Sequence, residues 1–226
     1  MSISERLYIR WLPAEPSEPT STLVLTTPGR HFPSGTGAGQ RARPRAAHVA
    51  RMGFAGRAVG TPTHGRWIHD ISSRPAHPDD GADEGDVAPH PTRPDVELER
   101  GRMRHPDSGA MTEYEEAWKA VSVLPLGGPR AREGRRVAVW LERQQGAADK
   151  KGTIVRVGQY CQGIVREGTE VAVQRWQWTE VEGAWQKVGQ VGDLAIPCDA
   201  AWSEVKEGDV VQRGGSTWDV REVAVW

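Results

Sequence analysis

The chain has 226 residues and a formal net charge of -1 at pH 7, so no global field directs it toward nucleic acid or acidic lipid. No segment approaches the roughly 18–20 apolar residues of a membrane-spanning helix, and the polar N-terminus does not resemble a signal peptide. The two cysteines, Cys161 and Cys198, are fewer than a secreted domain of this size usually carries, which favours a reducing compartment.

The aromatic and histidine residues are distributed unevenly along the chain. Of the 10 tryptophans, eight lie at or beyond Trp118, whereas all 7 histidines lie at or before His105. This difference predicts two domains, residues 1–111 and residues 112–226, each of which is expected to be rich in β-structure.

The first half begins with apolar alternation that predicts strands at 8–12 and 22–26. Residues 33–51 are then almost entirely Gly, Ala, Arg, Pro and Ser, and no acidic residue occurs from 19 to 69. This composition predicts a disordered insert at about 33–51, because it offers little apolar surface to offset the entropy of ordering. Short strands are predicted at 66–71 and 96–99, with an acidic, proline-rich loop between them.

A helix is predicted at the start of the second half. Thr112 and Glu115 have the spacing of a capping box. Tyr114, Trp118 and Val121 follow at i, i+4 and i+7, which places them on one face of a short helix.

From residue 136 onward the sequence predicts an antiparallel β-domain. Candidate strands lie at 136–142, 152–158, 160–166, 169–179, 184–191, 194–198, 209–213 and 217–226. Glycine-containing turns separate them at the spacing typical of a meander, barrel or sandwich. We expect a small closed barrel.

One of these strands carries apolar side chains on both faces. Val171 and Val173 share one face, and Trp176 and Trp178 share the other, because side chains alternate along a strand. Either a β-bulge near residues 174–175 or burial of both faces places all four inside, or the tryptophans form an exposed aromatic patch. Both alternatives are open from the sequence.

No motif predicts catalysis, a cofactor or a metal site. The run Gly35-Thr-Gly-Ala-Gly39 has no helix pattern after it, which a dinucleotide-binding loop requires. The histidines and cysteines lack the closely spaced pairs of zinc sites, and the second half has no histidine to activate a nucleophile. The arginine-rich stretch has no interleaved aromatic residues, so no nucleic-acid partner is predicted. We expect a non-enzymatic protein.

Short segments in both halves resemble the fungal HRI family. They are Ser2-Ile-Ser4, Ile9-Arg-Trp-Leu-Pro13, Glu18-Pro19, Leu23-Val-Leu-Thr-Thr-Pro-Gly-Arg30, Phe54-Ala-Gly56, Gly65-Arg-Trp67, Asp83-Glu-Gly-Asp86, Glu113-Tyr-Glu-Glu-Ala-Trp118, Val155-Arg-Val-Gly-Gln-Tyr-Cys-Gln-Gly163, Arg175-Trp176 and Gly192-Asp-Leu-Ala-Ile-Pro-Cys198. Between residues 32 and 53 the chain departs from the family pattern, so the completeness of the first barrel is left open.

The resemblance implies two tandem lipocalin-like antiparallel β-barrels, a location in cytoplasm and nucleus, and no enzymatic activity. It also implies a partner, a serine/threonine kinase of the casein kinase 1 type. The leading functional hypothesis is therefore a protein that docks this kinase. The alternative is a lipocalin-like carrier of a small apolar ligand in the barrel interior. Trp67, Trp176 and Trp178 are the candidate residues for the partner or ligand surface.

Overall fold

The computed structural model describes residues 1–37, 53–73, 81–125, 134–144, 146 and 149–226. Within these ranges the chain is mainly β, as predicted, and contains no helix long and apolar enough to cross a membrane. The strands of the first half are β1 (Ser2–Trp11), β2 (Ser21–Thr26), β3 (His31–Gly37), β4 (Gly53–Thr61), β5 (His64–Ser72), β6 (Ala82–His90), β7 (Arg93–Arg104) and β8 (Met111–Val121).

These strands form a closed antiparallel barrel in which each strand pairs with its neighbour in sequence and β8 returns to pair with β1. The first barrel is therefore complete. The predicted disordered insert is wrong at its start, because residues 33–37 belong to β3, which hydrogen-bonds to β2 and β4. The rest of that predicted insert, residues 38–51, lies outside the described residues.

The helix predicted at residues 112–121 is wrong. These residues form β8, which pairs with β7 on one side and β1 on the other. Tyr114 and Trp118 are four residues apart, a spacing that places side chains on one face of either a helix or a strand. The two neighbouring strands supply backbone hydrogen-bond partners, and this tertiary context overrides the local helix signal. The first barrel therefore extends past the boundary predicted at 111/112.

The second half forms a seven-stranded antiparallel sheet in the order β13-β12-β11-β10-β9-β15-β14. Its strands are β9 (Val137–Arg143), β10 (Lys150–Val157), β11 (Tyr160–Glu167), β12 (Glu170–Thr179), β13 (Ala184–Val191), β14 (Val210–Arg213) and β15 (Ser216–Val225). Residues 194–198 were expected to be a strand, but they lead into a short 3-10 helix, Cys198–Trp202. The edge strands β13 and β14 are not paired with each other in the described residues, so hydrogen bonding does not close this sheet into the expected second barrel.

The sheet of the second half is buried on both faces. Val155 and Val157 of β10 pack against Ile3 and Leu25, which point outward from the first barrel. Ile154, on the other face of β10, belongs to a separate core that includes the 3-10 helix. The main apolar packing of the barrel therefore lies on its outside, against the second sheet.

Buried polar side chains of the sheet also bind the barrel. The guanidinium group of Arg175 donates to the carbonyl oxygens of Ser21, at 3.0 Å, and of Gly35, and Gln162 donates to the carbonyl oxygen of Leu23 at 3.0 Å. Burial lowers the pKa of Arg175 to about 10, so this side chain remains charged at neutral pH. These bonds join strands β11 and β12 to β2 and β3.

Candidate ligand cavity in the N-terminal barrel

The first barrel is hollow. It contains a cavity of about 490 Å³, and every residue that lines this cavity lies between Met1 and Trp118. All eight barrel strands contribute side chains to the lining. The volume falls within the roughly 300–1,000 Å³ that is usual for small-molecule sites.

The inward and outward faces of the barrel have an unusual distribution of polarity. On β7, Glu97 and Glu99 line the cavity, whereas Val96 and Leu98 are buried on the opposite face. On β8, the side chains of Tyr114, Glu116 and Trp118 also point inward. The barrel therefore places much of its polar surface inside and its apolar surface outside.

A cluster of hydrogen-bonded polar groups forms one part of the cavity wall. Glu99 and Glu116 lie directly opposite each other on β7 and β8. The Tyr114 hydroxyl donates to Glu99 Oε1 at 2.7 Å. Arg6 of β1 donates to Glu116 Oε1 at 2.5 Å and to Glu18 Oε2 at 2.7 Å. The charge of Arg6 is thus matched by two carboxylates.

Glu99 is the carboxyl group most affected by this environment. It is 7% exposed. Burial raises the pKa of Glu99 to about 8, and the nearby charges of Glu116 and Asp83 act in the same direction. The neighbouring donors Tyr114 and Trp118 oppose the increase without reversing it. At neutral pH Glu99 is therefore mainly a neutral acid.

Aromatic side chains form the apolar part of the wall. The rings of Phe54 and His69 are stacked, with centroids 4.5 Å apart and planes 19° apart. His69 Nε2 lies 3.3 Å from Asp83 Oδ2. Trp67 folds back over Gly65, where an added Cβ would lie 2.4 Å from the indole ring. The absence of a side chain at position 65 allows Trp67 to occupy this place.

One polar atom of the cavity wall, the indole nitrogen of Trp118, has no well-formed hydrogen bond within the part of the chain that the structure describes. The indole Nε1 of Trp118 is buried and makes no hydrogen bond of normal geometry to the described residues, but it lies close enough to Glu99 to lower the pKa of that carboxyl group. Trp118 is opposite Glu97 and diagonal to Glu99 on the inner face. A buried donor without an acceptor is costly unless something else binds it.

The three tryptophans predicted as one surface are not brought together. Trp67 lines the cavity, whereas Trp176 and Trp178 lie in the second half. Trp176 contacts Trp202 with ring centroids 5.4 Å apart, and Trp178 contacts Trp185 at 6.1 Å. These tryptophans form an aromatic cluster on the face of the sheet that points away from the barrel.

Burial of both faces resolves the register conflict on β12. Val173 packs against Ala55 and Ile71 of the barrel, and Trp176 packs against the core on the other face. The predicted irregularity is present between Arg175 and Trp176, but in the pairing with β13. The pairing of β12 with β11 is regular through this region, so the alternation along β12 is retained.

The sequence analysis missed the polar cluster of the cavity. Tyr114 and Glu116 were assigned to a helix, and Glu99 was assigned to a short strand without a role. The signal that could have found them is the alternation on β7 and β8, which places Glu97, Glu99, Tyr114, Glu116 and Trp118 on one face. Within the described residues no group of three or more His, Cys, Asp or Glu side chains could hold a metal ion.

Comparison with known proteins supports the resemblance seen in the sequence. The model of a family described as Protein HRI1 matches residues 2–222. The chain belongs to the HRI1 family. The crystal structure of uncharacterized protein YLR301w from Saccharomyces cerevisiae is similar, with a TM-score of 0.74 and 15% sequence identity over 99% of this chain and 98% of that chain. At this identity the similarity shows a common fold. No curated protein matches the chain.

Proposed function

We propose that the N-terminal barrel binds a small molecule that combines an apolar body with a polar group. The observation that carries this proposal is the cavity of about 490 Å³ inside the closed barrel. This volume suits a ligand of drug-like size, and the wall combines aromatic side chains such as Phe54 and Trp67 with the polar groups around Glu99. The proposal modifies the predicted carrier, whose ligand was expected to be apolar.

The distribution of polarity supports a ligand site over a packing defect. A barrel that served only as a scaffold would be more stable with apolar side chains inside, because burial of charged groups is unfavourable. Here Glu99 and Glu116 are 7% and 5% exposed, and both point toward open space in the barrel. Contact with a ligand would explain why these two carboxyl groups are buried inside the barrel.

Titration with a fluorescent apolar probe, N-phenylnaphthylamine, tests the proposal. We expect saturable binding to the full chain at one site. Val24→Trp should lower the affinity at least about tenfold by filling the cavity, since Val24 lines it opposite Ser34. Ser34→Leu is a smaller change at the same place, in case the first variant fails to fold. Val210→Trp is the matched control, because Val210 is 58% exposed in the second half.

The outcomes distinguish binding in the cavity from binding elsewhere on the chain. Loss of binding in the folded Val24 and Ser34 variants, with retention in the Val210 variant, would support the cavity as the site. Equal binding by all three variants would exclude it. Mass spectrometry of small molecules released from the purified chain would then identify the natural ligand.

We also propose, as a second function, docking of a casein kinase 1-type kinase on the aromatic cluster. What supports it is the contact among partly exposed tryptophans, with Trp185 and Trp202 stacked at 4.7 Å, since aromatic residues are common anchors of protein interfaces. Trp178→Ala should weaken a pull-down of the kinase, and Val181→Ala, at a residue 99% exposed, is the control. Equal pull-down by both variants would contradict this proposal.

The remaining functional predictions from the sequence stay predictions. They are the absence of enzymatic activity, the location in cytoplasm and nucleus, and the absence of a nucleic-acid partner.

A further inference from the structure

The charged groups that line the cavity are predominantly acidic. The carboxylates are those of Asp83, Glu97, Glu99 and Glu116, and the permanent cations are the guanidinium groups of Arg6 and Arg30. Since Arg6 is already paired with Glu116 and with Glu18, which lies outside the cavity, its charge is compensated. An anionic ligand would therefore meet more acidic than basic side chains in the cavity.

Glu99 has acceptor capacity that the protein leaves unused. Its carboxyl group accepts from the Tyr114 hydroxyl and has the indole N–H of Trp118 beside it, and the ion pairs found among the described residues do not include it. A carboxylate can accept about four hydrogen bonds. Glu99 faces the cavity, so a donor on the ligand can reach the free positions.

We propose that the ligand carries a protonated amine, which the Glu99 carboxylate binds, and an apolar body, which packs against Trp67 and Phe54. This inference rests on the proposed function of the barrel. A charge-assisted hydrogen bond between ammonium and carboxylate is stronger than a neutral one, and the buried setting strengthens it further.

Binding of the amine releases one proton. Burial keeps Glu99 mainly a neutral acid at neutral pH, and an entering ammonium ion stabilises the carboxylate, so the acid proton leaves to solvent. The groups that face Glu99 are Glu116 and Tyr114 from β8, Asp83 from β6, and Arg6 from β1 by way of Glu116. The His69 ring, from β5, contacts Asp83 and completes this set. The affinity for an amine should therefore rise as the pH approaches the pKa of Glu99.

Calorimetric titration of the full chain with decylamine, decanol and decanoate tests the inference. We expect decylamine to bind at least about tenfold more tightly than the other two, because only it forms the charge-assisted bond. Titrations in phosphate and Tris buffers should differ in heat by the release of about one proton per amine bound. Glu99→Gln should reduce decylamine affinity to that of decanol and leave decanol unchanged. Glu113→Gln is the matched control, because Glu113 is an exposed carboxylate of β8 that does not line the cavity.

Three results would overturn the inference. Equal or tighter binding of decanol or decanoate would show that the site does not select an amine, while the cavity proposal would stand if Val24→Trp abolished that binding. Equal loss of all three ligands in Glu99→Gln would show that Glu99 does not act through the ammonium group. Failure of the three ligands and of N-phenylnaphthylamine to bind would remove the proposed function itself.

Discussion

Glu99→Gln should remove most of the pH dependence that the cavity imposes on folding. Glu99 has an ordinary pKa of 4.5 and a pKa of about 8 in the folded chain. Below its unfolded pKa the carboxyl group is protonated in both states, and its contribution to stability is fully present. As the pH rises, the unfolded chain releases the proton while the folded chain retains it, so stability is lost up to about the folded pKa.

The size of the effect follows from the two pKa values. Each unit of difference corresponds to about 1.36 kcal/mol, which gives a loss on the order of 4–5 kcal/mol between about pH 4.5 and pH 8. Water in the cavity screens the charge and makes this an upper estimate. Glutamine has nearly the same shape, retains an oxygen that can accept from Tyr114, and does not titrate.

Urea unfolding of wild type and variant at several pH values measures the difference. The free energy of unfolding of the wild type should fall relative to that of Glu99→Gln as the pH is raised from about 5 to about 8. Parallel stability curves over this range would refute the assignment of Glu99 as a buried, neutral acid.

Three further substitutions test other parts of the structure. Gly65→Ala should displace Trp67 and lower the affinity of the apolar probe about tenfold. Gly81→Ala should leave the affinity unchanged, because no atom lies within 4 Å of the added Cβ. Equal affinities of the two variants would contradict the position of Trp67. Arg175→Ala should cost roughly 2–4 kcal/mol in urea unfolding, since it leaves buried carbonyl oxygens of the barrel unpaired, and a change under 1 kcal/mol would argue against this contact. Trp218→Ala should cost about 3–5 kcal/mol, because Trp218 is 0% exposed, and a wild-type melting temperature would exclude its placement in the core.

The strands of the second half were predictable because local signals agree with the tertiary fold. The turn around Gly168 illustrates this. Its φ of 58° requires the conformation that glycine adopts most easily, and the apolar residues on either side pair in the β11–β12 hairpin. Closure of the sheet was not predictable, since it depends on whether distant edge strands meet.

The first half was harder to predict because its strands have weak local signals. Residues of β6 include Asp83 and Pro89 and resemble a loop, yet β5 and β7 supply pairing partners on both sides. Pro89 is tolerated next to the register shift in the β6–β7 pairing, as is usual for proline in sheets. The role of Glu99 was also hidden, because its burial beside Glu116 exists only after β8 joins the barrel.

The outward apolar face of the first barrel explains how a hollow domain can be stable. A barrel that leaves its interior open forfeits the packing energy that a filled interior would supply. Ile3 and Leu25 recover apolar burial by packing against Val155 and Val157 of the second sheet. The second sheet in turn has its own core on the opposite face, around Leu141 and neighbouring residues. The outer surface of the barrel therefore supplies its stability, through contact with the second half, and the inner surface forms the cavity. The interior side chains can suit a ligand because the barrel does not depend on them for its apolar packing.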